Sequence, residues 1–269
     1  MRRHFTAAAA LVLCVTGCKA TTNESVSGGG TKLSASQSIE LTARKSKTLQ
    51  TFAADISESG TSDGKTTQMV GSFKFRLNPS PAVSADFSQL QLGGQNVSGS
   101  GQVVFLNNIL YVKVPILSPL LSGGRPWFKV SLNGIQTLTG VNVTAVIGGL
   151  LETTPLTLTR MFTASSDVHD AGGETVDGVP TTHFQGSVTI QAALSRLDAT
   201  DRSRLTGLYR TDGSNKISFD VWVDDQHRPR RSTFSVQGTN TPTSTTITYR
   251  YGQEFQVSAP PADQVGGMG

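Results

Sequence analysis

Cysteine is almost missing from this 269-residue chain: it has two, Cys14 and Cys18, and none in the 251 residues that follow. No disulfide framework can therefore staple the body of the protein, which must be held by its own hydrophobic core. A long apolar run is missing too. The longest, Phe5 to Val15, is about half the roughly 20 residues that a membrane-spanning helix needs, so it cannot be a permanent transmembrane anchor. Charge of one sign is also lacking. Removal of residues 1–17 takes away Arg2 and Arg3 and no acid, leaving 21 basic residues against 19 acidic ones, and so gives no reason to expect a nucleic-acid partner.

Catalytic signatures are absent as well. His169, His183 and His227 lie far apart with no metal-ligand spacing, and without a cysteine after position 18 a zinc site is not expected. No Gly-x-Ser-x-Gly nucleophile elbow occurs, since Ser98-Gly99-Ser100-Gly101 has the wrong spacing. Neither a Walker A loop nor a dinucleotide fingerprint is found. Asp224-Asp225, beside Gln226-His227-Arg228-Pro229, reads as a hairpin turn rather than a pair of catalytic carboxylates. The chain is not expected to be an enzyme or to hold a cofactor or metal.

What is there begins at the N-terminus. Met1-Arg2-Arg3-His4 forms a positive n-region and Phe5 to Val15 an apolar h-region, a signal-peptide pattern. Val15-Thr16-Gly17-Cys18 follows at once and resembles the bacterial lipobox, in which the cysteine thiol receives diacylglycerol before cleavage. Residues 1–17 are then a removable signal, and lipidated Cys18 anchors the mature chain of 252 residues to the outer face of the cytoplasmic membrane, in the cell envelope. Arg2-Arg3 is compatible with either Sec or twin-arginine export. The polar, glycine-rich stretch over 18–33 reads as a flexible tether, and 260–269, with Pro260-Pro261 and Gly266-Gly267, as a disordered tail. The folded body is expected over 34–259.

Within the body, Ser36 to Thr48 is expected to be a helix with Ile39, Ala43 and Leu49 on one side. Period-two alternation then takes over: Phe52, Ala54 and Ile56, followed by Met69, Gly71, Phe73, Phe75 and Leu77, read as two strands joined through a turn at Ser59 to Gly64. Further strands are expected at Val83 to Phe87, Gly101 to Leu106, Ile109 to Val114 and Trp127 to Val130. Val141 to Leu151 and Pro155 to Phe162 have helical spacing. After the Asp177-Gly178 turn come a strand at Thr181 to Val188 and a helix at Ile190 to Leu197. Strands at Ile217 to Val223, Arg230 to Gln237 and Thr245 to Tyr251 close the body, with a short fourth at Phe255 to Val257. The fold class is α+β: a large curved antiparallel sheet with helices over one face.

Several of these segments carry a resemblance. Gly173-Glu174-Thr175-Val176-Asp177-Gly178-Val179, Gly186-Ser187-Val188, the helix Ile190 to Leu197 and Val221-Trp222-Val223-Asp224, with Leu110-Tyr111-Val112 and Trp127-Phe128, resemble the mycobacterial LppX, LprG, LprA and LprF lipoprotein family. The similarity runs in order from about Ser34 to Ala259. It implies a LolA-like half-barrel whose sheet and covering helices enclose an apolar cavity, and a carrier that takes lipids or glycolipids by their acyl chains through the envelope, with an envelope transporter as a candidate partner. Because the family supplies the cavity, its candidate lining is Phe52, Ile56, Met69, Phe73, Phe75, Val146, Leu150, Leu158, Met161, Phe162, Phe219 and Val221. Arg228, Arg230 and Arg231 cluster at the start of a strand and are candidates for contact with anionic headgroups, Arg being suited to bidentate phosphate binding. The alternative is a surface interaction or sensor lipoprotein with the same fold, a packed core and no lipid cargo.

Overall fold

The computed structural model describes residues 33–62, 65–92, 94–96, 101–115, 122–131, 154–210, 215–237, 243–252 and 255–267. The expected signal segment, Cys18, most of the tether and the helix expected at Val141 to Leu151 lie outside the described residues.

Helix α1, Ala35–Ser46, starts on a reciprocal cap: the Gln37 N–H donates to the Ser34 hydroxyl (3.2 Å) and the Ser34 N–H to the Gln37 side chain (2.9 Å). Its buried stripe is small, Ser38, Ile39, Thr42, Ala43 and Ser46, which lets it lie close against its neighbours. Leu49, expected on that stripe, falls past the helix end at Lys47 and is half-buried.

Strands β1 (Thr51–Ser62) and β2 (Lys65–Arg76) form one long hairpin, in register from Thr51↔Arg76 to Ser62↔Lys65. The turn expected at Ser59 to Gly64 is thus mostly strand: Ser59 to Ser62 keep pairing with Gln68 to Lys65, so turn-type side chains here are overridden by the ladder. β3 (Ala82–Leu92), β4 (Gln95–Asn96), β5 (Gly101–Leu106), β6 (Ile109–Lys113) and β7 (Trp127–Ser131) continue the meander. After α2 (Pro155–Phe162) come β8 (His169–Val176), β9 (Val179–Thr189), α3 (Ile190–Ser195), α4 (Ala199–Arg210), β10 (Lys216–Val223), β11 (Pro229–Gln237) and β12 (Thr243–Arg250); a short β13 (Val265–Gly267) ends the chain.

All thirteen strands join one sheet, ordered β13-β7-β6-β5-β3-β2-β1-β12-β11-β10-β9-β8, with β4 pairing β3. Every pairing but β13 with β7 is antiparallel. Because β12 returns beside β1, the two meanders fuse, and among the described residues the edges β8 and β13 do not meet. The result is an open half-barrel. Its inner face follows the period-two pattern: Phe52, Ala54 and Ile56 on β1, Phe73 and Phe75 on β2, Ile217, Phe219, Val221 and Val223 on β10, and Ile247 and Tyr249 on β12 are all buried.

Four stretches differ from the sequence reading. β8 was not expected, because seven of its eight residues are exposed and an edge strand with two wet faces shows no alternation. Register and positive φ at Asp177 (49°) and Gly178 (78°) make its link to β9 a two-residue hairpin. Helix α4 is also absent from the sequence reading, being mostly polar, with Leu205 and Tyr209 four apart and both buried. Phe255 to Val257 is not a strand, and residues 260–267 are not a disordered tail. Val257 and Val265 belong to a cluster with Ala82, Val104 and Trp127 on the outer face, and Val265 to Gly267 pair with Trp127 to Lys129. Gly266 lies so close to the backbone of Ser122 that a Cβ there would collide with it.

Candidate functional site

Of the twelve candidate cavity residues, Val146 and Leu150 lie outside the described residues. Phe52, Ile56, Phe73, Phe75, Leu158, Met161, Phe162, Phe219 and Val221 belong to one contiguous cluster, each at most 1 % exposed. Side chains closed to this degree leave no room for water against them, so these nine form a dry core between α2 and the sheet. Phe162 stacks on Phe219 at 4.0 Å between ring centroids and Phe52 on Phe75 at 4.5 Å. Met69, the tenth, is half-buried.

Beyond that core the inner face changes character. Register carries it from Phe73 and Gly71 to Ala85 and Phe87 on β3, to Val103 and Phe105 on β5, and to Leu110 and Val112 on β6. Phe87, Val103, Phe105 and Val112, with Met69, keep part of their surface open, whereas Leu110, Phe128 and Val130 are buried. Of these five half-buried apolar side chains, only Met69 is among the residues the sequence singles out. On β5 both faces are apolar, Val103 and Phe105 inward and Val104 and Leu106 outward against the C-terminal segment, so no alternation marks which face is which.

The same face carries a carboxyl on β1. Glu58 continues the inward series Phe52, Ala54, Ile56 on β1 and pairs with Met69 on one side and Thr245 on the other. The Thr245 hydroxyl, itself buried, donates to Glu58 at 3.4 Å, and burial pushes the Glu58 carboxyl above the usual carboxylate range.

The three arginines sit elsewhere, at the β10–β11 turn. Asp224, with a fully buried side chain, accepts from the backbone N–H groups of Gln226 (3.0 Å) and Arg228 (2.8 Å) and from Nε of Arg228 (3.1 Å) and Arg230 (2.8 Å). Both guanidiniums lie over the Tyr251 ring, and Arg231 lies over Trp222. Arg228 and Arg230 thus share the one carboxylate of Asp224. Two clefts of about 300 and 360 Å³ flank this turn where it faces α1, and they share Asp225 and His227.

On the outer face, His183 stacks on Trp222 at 4.3 Å and reaches Asp220 (2.8 Å) and Glu174 (3.3 Å), while the Trp222 N–H donates to Glu174 (2.8 Å). Among the described residues no three His, Cys, Asp or Glu side chains are arranged to hold a metal ion.

The loop after α2 is docked on β9 by Asp167, which accepts from the Ser187 N–H (2.8 Å), the Ser187 hydroxyl (2.6 Å) and the Ser165 hydroxyl (2.8 Å). Those bonds, the Ser187 hydroxyl first, hold its carboxyl at about 2, below the ordinary 3.8. A depressed carboxylate stabilises the fold fully above its ordinary value, and that contribution is lost as pH falls through about 2. Acid titration followed by thermal melts should therefore show a loss of stability between about pH 4 and 2 that Asp167→Asn removes; an unchanged acid limb in the variant would contradict this docking role.

No protein-family model matches the chain. A curated relative, the "uncharacterized 31.2 kDa protein in rplA-rplJ intergenic region" of Streptomyces griseus, is 27 % identical over 176 residues, 64 % of this chain; the chain spans 57 % of that relative's length. Among solved structures, LprF from Mycobacterium bovis matches with a TM-score of 0.52 at 11 % identity, over 84 % of this chain and 96 % of LprF. The Mycobacterium tuberculosis lipoprotein LppX follows with a TM-score of 0.46 at 15 % identity, over 83 % of this chain and 98 % of LppX. The half-barrel read from the sequence resemblance is thus the fold observed, and the chain shares it with LprF.

Proposed function

We propose that this chain is a membrane-anchored lipoprotein that binds lipids or glycolipids by their acyl chains on the inner face of its half-barrel and carries them through the cell envelope. The observation that carries this reading is the strip Met69, Phe87, Val103, Phe105 and Val112, apolar side chains on the inner face that the core leaves partly open. Acyl chains are the matching ligand, since an apolar wall strands no polar group against them and each buried methylene contributes about 0.8 kcal/mol. The fold shared with LprF and the resemblance to its lipoprotein family support the same reading. The dry packing of Phe162 on Phe219 favours the second reading, an interaction or sensor lipoprotein without cargo.

A bulky change in the strip separates the two. Val103→Trp should displace bound lipid and leave the melting temperature within about 2 °C, because it fills open space. In a close-packed interior the same change would overpack and cost about 1–3 kcal/mol, and a destabilised variant with no lipid in the parent would overturn the carrier reading.

Anchoring rests on Cys18, and no described helix is long and apolar enough to cross a membrane. Cys18→Ser should abolish incorporation of labelled fatty acid and move the protein from the membrane to the soluble fraction or leave it uncleaved. Label retained at the parental level would defeat the lipobox assignment.

A further inference from the structure

The inner face is graded along the strands. On β1 the inward series runs Phe52, Ala54, Ile56, Glu58, Gly60; on β2 the partners are Phe75, Phe73, Gly71, Met69, Thr67; on β12 they are Tyr249, Ile247, Thr245, Thr243. One end is aromatic and closed, with Phe52, Phe75 and Tyr249 buried; the other is polar and small, ending at Gly60, Thr67 and Thr243. Glu58 stands at the change, beside Met69, the first residue of the open apolar strip. A carboxylate half-buried on an apolar face is costly unless an opposite charge or several donors meet it. Its hydrogen bond from Thr245 is long, at 3.4 Å, and among the described residues no lysine or arginine is set against it.

On the lipid-binding reading above, we infer that Glu58, backed by Thr245, is the headgroup station of that site, and that it selects lipids whose headgroup carries an ammonium group. The acyl chains would lie over Met69, Phe87, Val103 and Phe105, with the headgroup toward the Gly60–Thr67 end of the hairpin. An ammonium supplies both the missing charge and up to three donors, and a charge-assisted hydrogen bond in a partly desolvated place is among the strong ones. An anionic headgroup would set like charges together and be disfavoured.

The test uses the full chain in non-ionic detergent with equal amounts of phosphatidylethanolamine and phosphatidylglycerol carrying the same photoreactive acyl chain, and counts crosslinked adducts by mass spectrometry. The ethanolamine adduct should exceed the glycerol adduct by about tenfold. Glu58→Gln should bring the ratio near one and Glu58→Lys should invert it, while both variants keep adducts on Phe87, Val103 or Phe105. A melt of Glu58→Gln like the parent's shows that the fold is intact. A ratio that stays the same in Glu58→Gln overturns the headgroup station and leaves lipid binding standing; no adduct from either lipid on the inner face overturns lipid binding itself.

Discussion

Phe162→Ala is expected to lower stability by about 3–5 kcal/mol, the range for deleting a buried aromatic side chain whose site cannot collapse. Phe162 is the last residue of α2, fully buried, and stacked on Phe219 at 4.0 Å and 9°. Below that ring the sheet has no slack. A Cβ built on Gly186 would lie 2.9 Å from Phe219 Cζ, so the bare glycine is what lets Phe219 sit this close to the sheet. A helix of eight residues is held by its packing rather than by propensity, so α2 should loosen with the loss. Phe87→Ala is the control. Phe87 is half-buried on the open strip, and its truncation should cost well under half as much in denaturant melts. Equal losses for the two would contradict the division of the inner face into a dry core and an open strip.

Asp224→Ala should cost about 3 kcal/mol. The buried carboxylate accepts four hydrogen bonds within one turn, and its removal leaves the N–H groups of Gln226 and Arg228 and two guanidiniums unmatched together. Arg228 and Arg230 keep 26 % and 16 % of their side-chain surface and can partly rehydrate, which sets the loss below that of a fully enclosed ion pair. Asp224→Asn should fall between parent and alanine, since its amide oxygen still accepts from the backbone while the charge is gone. Denaturant titration of the three proteins reads this order directly, and an alanine variant as stable as the parent would remove the structural role given to the turn.

The parts of this fold legible in the sequence were those with a clean period. Phe52-Ala54-Ile56, Phe73-Phe75 and Ile217-Phe219-Val221-Val223 alternate because one side of each strand is wet, and all of them turned out to face inward. Pro155 to Phe162 was read to the residue, because Thr154 caps it and Pro155 opens it. The failures have equally local causes. β8 is wet on both faces, α4 sets Leu205 and Tyr209 among mostly polar residues, and 260–267 looks like a tail because Val265 is a lone apolar residue whose neighbour Trp127 is more than a hundred positions away.

The candidate site was legible in part. Period two places the chosen strand residues on the inner face, but they are among the most apolar ones, and nine of the twelve candidates are used for the protein's own core. Apart from Met69, the open strip consists of the neighbours on β3, β5 and β6, reached through register rather than through composition. Asp224 and Asp225 were rightly placed in a turn, yet the part played by Asp224 in holding Arg228 and Arg230 depends on its burial, which no spacing reveals.

Lipid binding on the inner face is tested most directly by organic extraction of the purified protein followed by mass spectrometry of the extract. Lipid with acyl chains is expected in near-stoichiometric amount in the parent, and its loss is expected in Val103→Trp at unchanged melting temperature. A parent that is folded, yields no lipid on extraction, and takes up none when offered would contradict it.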